Sequence, residues 1–247
     1  MSLRTTVILP YQLRVACVDA LSVFFTVLLP SVLFVLFGLI FGLGEGTNNE
    51  YAAYVLPGMV GVMCSSDGLY TVGPMVRAYI TQGILREFTS LPGWTGSLFL
   101  GFILTRLVFV MLSMVCLVAL SGLLFSYIPG GVDLVRIFLG AALCFGAYAL
   151  IAVGVALLAN SGAGDYGFSS VYYFLGMFLC DAFFVLSERN LTLTTIAYMF
   201  PLKPVLVFMR GDDVDGLLVI VAWLAGGLTF LLCVLRWKTI VAPGRGR

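Results

Sequence analysis

Apolar residues run along this chain in six long stretches that are separated by shorter polar segments. A helix needs roughly 20 mostly apolar residues to cross the hydrocarbon core of a bilayer, and buried strands are much shorter. The pattern therefore predicts an all-α, polytopic membrane protein that forms a single domain over residues 1–247. The six transmembrane helices are predicted at residues 21–43, 52–76, 97–125, 134–158, 167–186 and 216–235.

Three of the connections are rich in residues that favour turns. Gly, Pro and Asn mark loops because they adopt or impose backbone conformations that helices disfavour. Such residues occur in GLGEGTNNE at 42–50, SYIPGGVD at 126–133 and NSGAGD at 160–165. These three segments are predicted to be loops.

The connection at residues 77–96 is longer than a turn. It mixes charged residues with Ile80, Ile84, Leu85 and Phe88, which recur at helical spacing. This arrangement is typical of a short amphipathic helix.

The connection at residues 187–215 is strongly apolar, but Pro201 and Pro204 interrupt it. Apolar backbone that does not span is tolerated at membrane depth only where protein covers it or where it lines a cavity. The preferred interpretation is a re-entrant pair of half-helices before the last span. The alternative is an external helix that rests on the lipid headgroups.

The composition agrees with a membrane protein and excludes some functions. The chain is 61% hydrophobic and 10% charged, with a mean hydropathy of +1.11, whereas soluble domains carry about 25% charged residues. A net charge of +1 provides no clustered basic face of the kind that nucleic-acid binding requires. No nucleic-acid partner is expected, and the lipid bilayer is the expected surrounding.

The distribution of the 13 Lys and Arg residues predicts the orientation. Basic residues concentrate in cytoplasmic loops. A topology with both termini in the cytoplasm of a plasma-membrane protein, and no cleaved signal peptide, fits this rule best. It places these basic residues inside: Arg4, Arg14, Arg77, Arg86, Arg236, Lys238, Arg245 and Arg247.

Enzymatic chemistry has little support in the sequence. There is no histidine, which is the commonest general base and metal ligand. The six cysteines stand singly, without the spacing of a metal site. A phosphate-binding P-loop needs a lysine directly after a glycine, but Lys203 follows Leu202 and Lys238 follows Trp237. The chain is expected to be no enzyme and to bind no cofactor or metal itself.

Three charged residues lie deep within the predicted spans, namely Asp67, Arg106 and Asp181. Such residues are costly in a membrane and are functional candidates by default. Asp67 and Arg106 lie at about the same depth, ~14 Å from the inner ends of consecutive antiparallel helices. Two interpretations are open: the two side chains form a buried ion pair, or Arg106 extends to the cytoplasmic surface while Asp67 faces a substrate pathway.

Polar residues near Asp67 extend the candidate pathway. Ser66, Asp67 and Tyr70 share one helical face, which is predicted to look inward. Asp181 lies farther out, where it is expected to meet Arg189 or Arg210. The candidate substrate-pathway residues are Ser66, Asp67, Tyr70, Arg106 and Asp181.

Three local motifs follow one another along the chain. The first is Tyr54-Val55-Leu56-Pro57-Gly58 at the start of the second span. The second is GILREFTSLP at residues 83–92, between spans two and three. The third is Pro201 followed by Arg210 before the last span.

In these motifs, their order and the number of spans, the chain resembles the membrane-spanning subunit of type-2 ABC transporters, the exporters of drugs, polysaccharides and lipids. The resemblance covers nearly the whole chain, with Ile84 and Ser90 at positions where the family often has Thr. It implies a permease that forms the substrate pathway with a second permease subunit, as a homodimer or heterodimer. It also implies that residues 3–20 form an amphipathic helix on the inner membrane face; a disordered tail up to Pro10 is the alternative.

The same resemblance implies that two separate ATPase subunits, which bind ATP and Mg, dock beneath the permease. The docking segment would be the cytoplasmic coupling helix between spans two and three, formed by Gly83, Ile84, Leu85, Arg86, Glu87 and Phe88. A loop helix that packs only on its own bundle is the alternative for this segment. For the whole chain, the alternative is a six-span membrane immunity or scaffold protein without an ATPase partner.

Overall fold

The computed structural model describes residues 24–41, 48–83, 94–158, 162–183, 191–211 and 215–241. The described residues form helices and no strand, so the predicted all-α class is confirmed. The helices, in chain order, are α1 (Phe24–Leu28 and Leu29–Phe41), α2 (Asn48–Asp67, Gly68–Val72 and Gly73–Thr81), α3 (Trp94–Phe125), α4 (Gly131–Leu158), α5 (Gly162–Leu179), α6 (Leu191–Ala197), α7 (Leu202–Arg210) and α8 (Asp215–Val241).

Within the described residues, three helices are long and apolar enough to cross a membrane. They are the segments Gly101–Phe125 of α3, Gly131–Leu158 of α4 and Gly216–Cys233 of α8. A shorter apolar helix occupies Thr26–Ile40 in α1. These features identify the chain as a membrane protein.

Helix α2 is the centre of the bundle. It runs without a break from Asn48 to Thr81 and is buried along most of its length against α3, α4 and α7. Glycines allow neighbouring backbones to approach it closely: a Cβ atom on Gly68 would lie 2.8 Å from the Cβ of Tyr148 in α4. The most deeply buried large side chains of the core include Leu56, Met63, Leu69, Phe145, Tyr148 and Leu206.

Both ends of α5 differ from the sequence-based prediction. The fifth span was predicted to extend to residue 186, but α5 ends at Leu179. The chain turns there because Asp181 adopts a left-handed backbone conformation, with φ of 57°, which Asp tolerates better than most residues. The predicted loop at 160–165 is wrong from residue 162 onward, since α5 already begins at Gly162.

The connection predicted as an amphipathic helix over residues 77–96 also differs in its first part. Residues up to Thr81 continue α2 as one helix, and Gly83 ends it with φ of +74°, a conformation that favours glycine. Residues 84–93, which hold most of the predicted coupling segment, lie outside the described part of the chain. The predicted N-terminal helix at 3–20 also lies outside it.

The apolar connection before the last helix contains two short helices, α6 and α7, joined by a turn at residues 198–201. Helix α7 is not a surface helix, because most of its side chains are buried against α2, α4 and α8. It ends at Gly211, whose φ of +83° is left-handed. The expectation that protein covers this backbone is therefore confirmed for α7.

Candidate functional site

A buried group of polar side chains joins α1, α2 and α3. It consists of Thr26, Asp67, Thr71 and Arg106 and is called the Asp67 cluster below. The side chains of Arg106 and Asp67 form an ion pair and are only 4% and 1% exposed. The predicted pair is therefore confirmed, and the alternative in which Arg106 extends to the surface is wrong.

The two threonines complete the hydrogen bonding of the ion pair. Thr26 and Thr71 donate to Oδ1 of Asp67 over 3.1 and 3.2 Å. The same hydroxyl oxygens accept from Nη2 of Arg106 over 3.3 and 3.1 Å, while Nε of Arg106 donates to Oδ2 of Asp67 over 3.2 Å. A buried ion pair is tolerated when its remaining donors and acceptors are satisfied in this way.

Both threonines lie in π-helical segments. Thr26 belongs to Phe24–Leu28 and Thr71 to Gly68–Val72. A π-helical turn holds an extra residue and often occurs at functional sites. In this chain, the two widened turns face each other across the ion pair, so α1 and α2 both depart from regular geometry where the charges are held.

A second buried group joins the start of α2, the turn after α5 and helix α7. It consists of Tyr54, Asp181, Lys203 and Arg210 and is called the Asp181 cluster below. Nζ of Lys203 lies 2.5 Å from Oδ2 of Asp181, and the two side chains are 8% and 3% exposed. The sequence predicted that Asp181 meets Arg189 or Arg210: Arg189 lies outside the described residues, Arg210 contacts the Asp181 backbone, and the pairing of the carboxylate with Lys203 was not predicted.

Arg210 contacts the backbone of the same turn instead. Its guanidinium donates to the carbonyl oxygens of Asp181 and Tyr54 over 2.8 and 3.2 Å. The Tyr54 hydroxyl donates to the Asp181 carbonyl over 2.9 Å, and Cζ of Arg210 lies 3.8 Å from the centroid of the Tyr54 ring. The hydrogen bonds and the cation–π contact together fix the left-handed turn.

The glycine of the Tyr54–Gly58 motif is explained by the same turn. A Cβ atom at Gly58 would lie 1.9 Å from the carbonyl oxygen of Ala182, which is far inside van der Waals contact. Because a backbone atom causes the clash, a side-chain rotation cannot relieve it. The turn after α5 therefore packs directly on α2 at this point.

We expect Gly58→Ala to lower the free energy of unfolding by about 1–3 kcal/mol, the usual cost of overpacking. The added methyl group would push the Ala182 carbonyl away and loosen the Asp181 cluster. Gly167→Ala is the matched control, since Gly167 is exposed and its Cβ would meet nothing within 4 Å. Unfolding in mixed micelles measures both; equal stability of the two variants would show that this close approach is absent.

The predicted polar face of α2 is divided in the structure. Asp67 turns to α1 and α3, whereas Ser66 and Tyr70 are half-buried and lie beside α5. The Tyr70 and Tyr173 rings meet edge to face with centroids 5.5 Å apart, and the Tyr173 side chain is hydrogen-bonded to that of Ser66. A polar seam therefore runs between α2 and α5.

Three cluster residues escaped the sequence-based prediction: Thr26, Thr71 and Lys203. The hydroxyl of Thr26 resembles those of many other threonines in apolar helices, so no local signal distinguishes it. Thr71 had a signal, because it belongs to the polar row around Asp67 and lies four residues after it. Lys203 had a signal, because it is a lysine within an apolar segment and such a residue requires a partner.

Of the predicted coupling segment, only Gly83 lies in the described part of the chain, where it follows the end of α2. Ile84, Leu85, Arg86, Glu87 and Phe88 lie outside the described residues. No model of a protein family matches this chain, and no curated protein matches its sequence.

Proposed function

We propose that this chain is the transmembrane permease subunit of an ATP-binding cassette exporter in the plasma membrane. In this proposal the chain crosses the bilayer six times, with α1, α2 and α5 as spans beside α3, α4 and α8, and both termini are cytoplasmic. Helices α6 and α7 would form the re-entrant segment, and a second permease subunit would complete the pathway.

The observation that supports this proposal most is the contact between the first and third motifs. Tyr54 and Arg210 lie far apart in the sequence, yet the guanidinium of Arg210 covers the Tyr54 ring and binds its carbonyl oxygen. Gly58 of the first motif packs on the turn that Arg210 holds. The first and third motifs, which contribute to the resemblance to type-2 ABC permeases, thus hold the same turn.

The continuous helix α2 suggests how ATP could act at a distance. At one end it carries Tyr54 of the Asp181 cluster, in its middle Asp67, and at the other end it leads through Gly83 into the proposed docking segment. A helix is stiff along its axis, so a displacement at the docked end would reach both clusters. ATP binding by two separate subunits would then bias the pair of permeases between inward-facing and outward-facing states.

The polar seam between α2 and α5 is the part of the proposed pathway that the structure favours. Ser66, Tyr70 and Tyr173 are half-buried there, so they remain within reach of a substrate. Asp67 and Arg106 form an ion pair with each other, and Asp181 forms an ion pair with Lys203. These three charged residues would position the helices that line the pathway.

The test of the function is affinity purification of the tagged chain in mild detergent, with identification of its partners and assay of ATPase activity. We expect an ATPase to co-purify and to be lost in Arg86→Ala/Glu87→Ala, because this charged pair lies in the proposed docking segment. Glu188→Ala/Arg189→Ala is the matched control, since it removes the same two charges from the connection predicted to be external.

A preparation that contains no ATPase in any of several detergents contradicts the proposal and favours the stand-alone membrane protein. Loss of the ATPase from both double variants contradicts the assignment of the docking segment, because the two changes would then act through general instability.

A further inference from the structure

A buried carboxylate near the start of α5 has no hydrogen-bond partner among the described residues. Asp165 is 1% exposed, and neither of its side-chain oxygens accepts a hydrogen bond there. Asp67 and Asp181, by contrast, each pair with a cation at hydrogen-bonding distance. Among the described residues, Asp165 therefore differs from these two acids in having no hydrogen-bonded cation.

Two nearby features, the N-terminus of α5 and the side chain of Arg77, act on the charge of Asp165. It lies in the first turn of α5, where the positive end of the helix dipole favours a carboxylate. The positive charge of Arg77 in α2 also acts on the Asp165 carboxylate. A buried carboxylate without hydrogen bonds is costly unless a cation or a proton neutralises it.

A large apolar groove adjoins this position. It lies between α4 and α8, has a volume of about 800 Å³ and is also lined by Gly164 and Phe168 of α5, which lie one residue before and three residues after Asp165. This volume falls within the range of small-molecule sites, about 300–1,000 Å³. The remaining lining residues are uncharged and come from α4 and α8.

Two aromatic residues line the groove. Phe168 lies on α5 and stacks on Tyr172, with ring centroids 5.7 Å apart. Trp223 lies on α8. Aromatic faces attract cations as well as apolar groups, so the site combines an apolar volume and aromatic rings, and two of its lining residues lie on the same helix as Asp165, within three positions of it.

We propose that this groove binds a hydrophobic organic cation, whose apolar body fills the groove and whose charge is balanced by Asp165. Electrostatic attraction acts over several ångströms in a poorly solvated interior, so a direct hydrogen bond to the carboxylate is not required. The inference names a substrate class for the export function proposed above and rests on that function for the transport step. Binding itself can be measured without any partner.

The test uses two probes of the same shape and opposite charge, tetraphenylphosphonium and tetraphenylborate. Their binding to the purified full-length chain in detergent is measured by equilibrium dialysis at about pH 8, where carboxyl groups are normally ionised. We expect saturable binding of the phosphonium ion and affinity at least about tenfold weaker for the borate ion.

Two variants and one control locate the site. Asp165→Asn should weaken phosphonium binding about tenfold, which corresponds to the loss of one favourable charge contact. Gly226→Leu should weaken both ions by filling the groove, because a Cβ there meets nothing within 4 Å and Gly226 lines the groove. Asp133→Asn removes a half-exposed carboxylate elsewhere and should leave binding unchanged.

Three results would overturn the inference: equal affinity for the two ions, unchanged phosphonium binding in Asp165→Asn, or unchanged binding in Gly226→Leu. If Asp165→Asn does not fold, the comparison of the two ions and the Gly226→Leu variant decide the question. Because the assay contains no ATPase, a positive result stands even if the chain proves to have no such partner. A failure here likewise leaves the proposed ATPase partnership intact.

Discussion

Replacing Asp67 by asparagine is expected to lower the free energy of unfolding by about 3–5 kcal/mol, the usual effect of removing one partner from a buried ion pair. The change leaves the guanidinium of Arg106 buried next to the hydroxyls of Thr26 and Thr71 and a neutral amide, without the carboxylate that balances its charge. Unfolding by SDS in mixed micelles, followed by circular dichroism, measures the loss.

The double variant Asp67→Asn/Arg106→Gln is expected to be more stable than Asp67→Asn, because it removes the charge that the single change leaves uncompensated. The control is the pair Asp133 and Arg136, whose side chains are 49% and 40% exposed. Breaking an exposed pair should cost less than about 1 kcal/mol. Strictly additive losses in the Asp67–Arg106 cycle would mean that the two side chains do not interact.

The Asp67–Arg106 pair could be predicted from the sequence because membrane depth follows from counting residues. The two residues lie at equal distances from the inner ends of consecutive helices, and a charge in a membrane requires a partner. Thr26 could not be predicted, because it is distant from both residues in the sequence, whereas Thr71 lies four residues after Asp67 and so shares a helix face with it.

The surroundings of Asp181, unlike the Asp67–Arg106 pair, could not be predicted by counting residues. The apolar pattern continues past residue 180, so the sequence placed Asp181 inside a span, whereas α5 ends at Leu179 and a turn follows. Tertiary contacts from Tyr54, Lys203 and Arg210 stabilise that turn. No local pattern reports such contacts, so the predicted helix end was wrong and Lys203 was missed as a partner of the carboxylate.

The class of fold was predictable for a related reason. Long apolar runs require helices in a membrane, because helices satisfy all of their backbone hydrogen bonds internally. Helix ends depend instead on single residues and on neighbours. Gly83 ends α2 through its positive φ, and its position in the motif was visible in the sequence, but the continuation of α2 up to Thr81 was not.

The placement of the two clusters on α2 gives them different structural roles. The Asp67 cluster ties the middle of α2 to α1 and α3, while the Asp181 cluster ties its first turns to α7 and to the end of α5. If α2 moves during transport, the second cluster is the one that holds the end opposite the docking segment. The Asp181–Lys203 ion pair should therefore affect both the free energy of unfolding and the rate of exchange between conformations.

Replacing Lys203 by methionine is expected to lower the free energy of unfolding by about 3–5 kcal/mol, because Asp181 would keep a buried charge without its partner. Methionine retains the apolar stem of lysine, so lost packing contributes little. Asp181→Asn/Lys203→Met should recover a large part of the loss, and Arg136→Met, which breaks a half-exposed pair, should cost less than about 1 kcal/mol.

The same variants separate stability from motion. Amide hydrogen exchange in the segment Leu202–Arg210 should rise in Lys203→Met and return towards the original rate in the double variant, because α7 is held to the Asp181 turn through this ion pair. Exchange in α3, which the Asp67 cluster holds, should stay unchanged. A uniform increase across both helices would show that the ion pair supports the whole bundle and does not specifically fasten α7 to α2 and the end of α5.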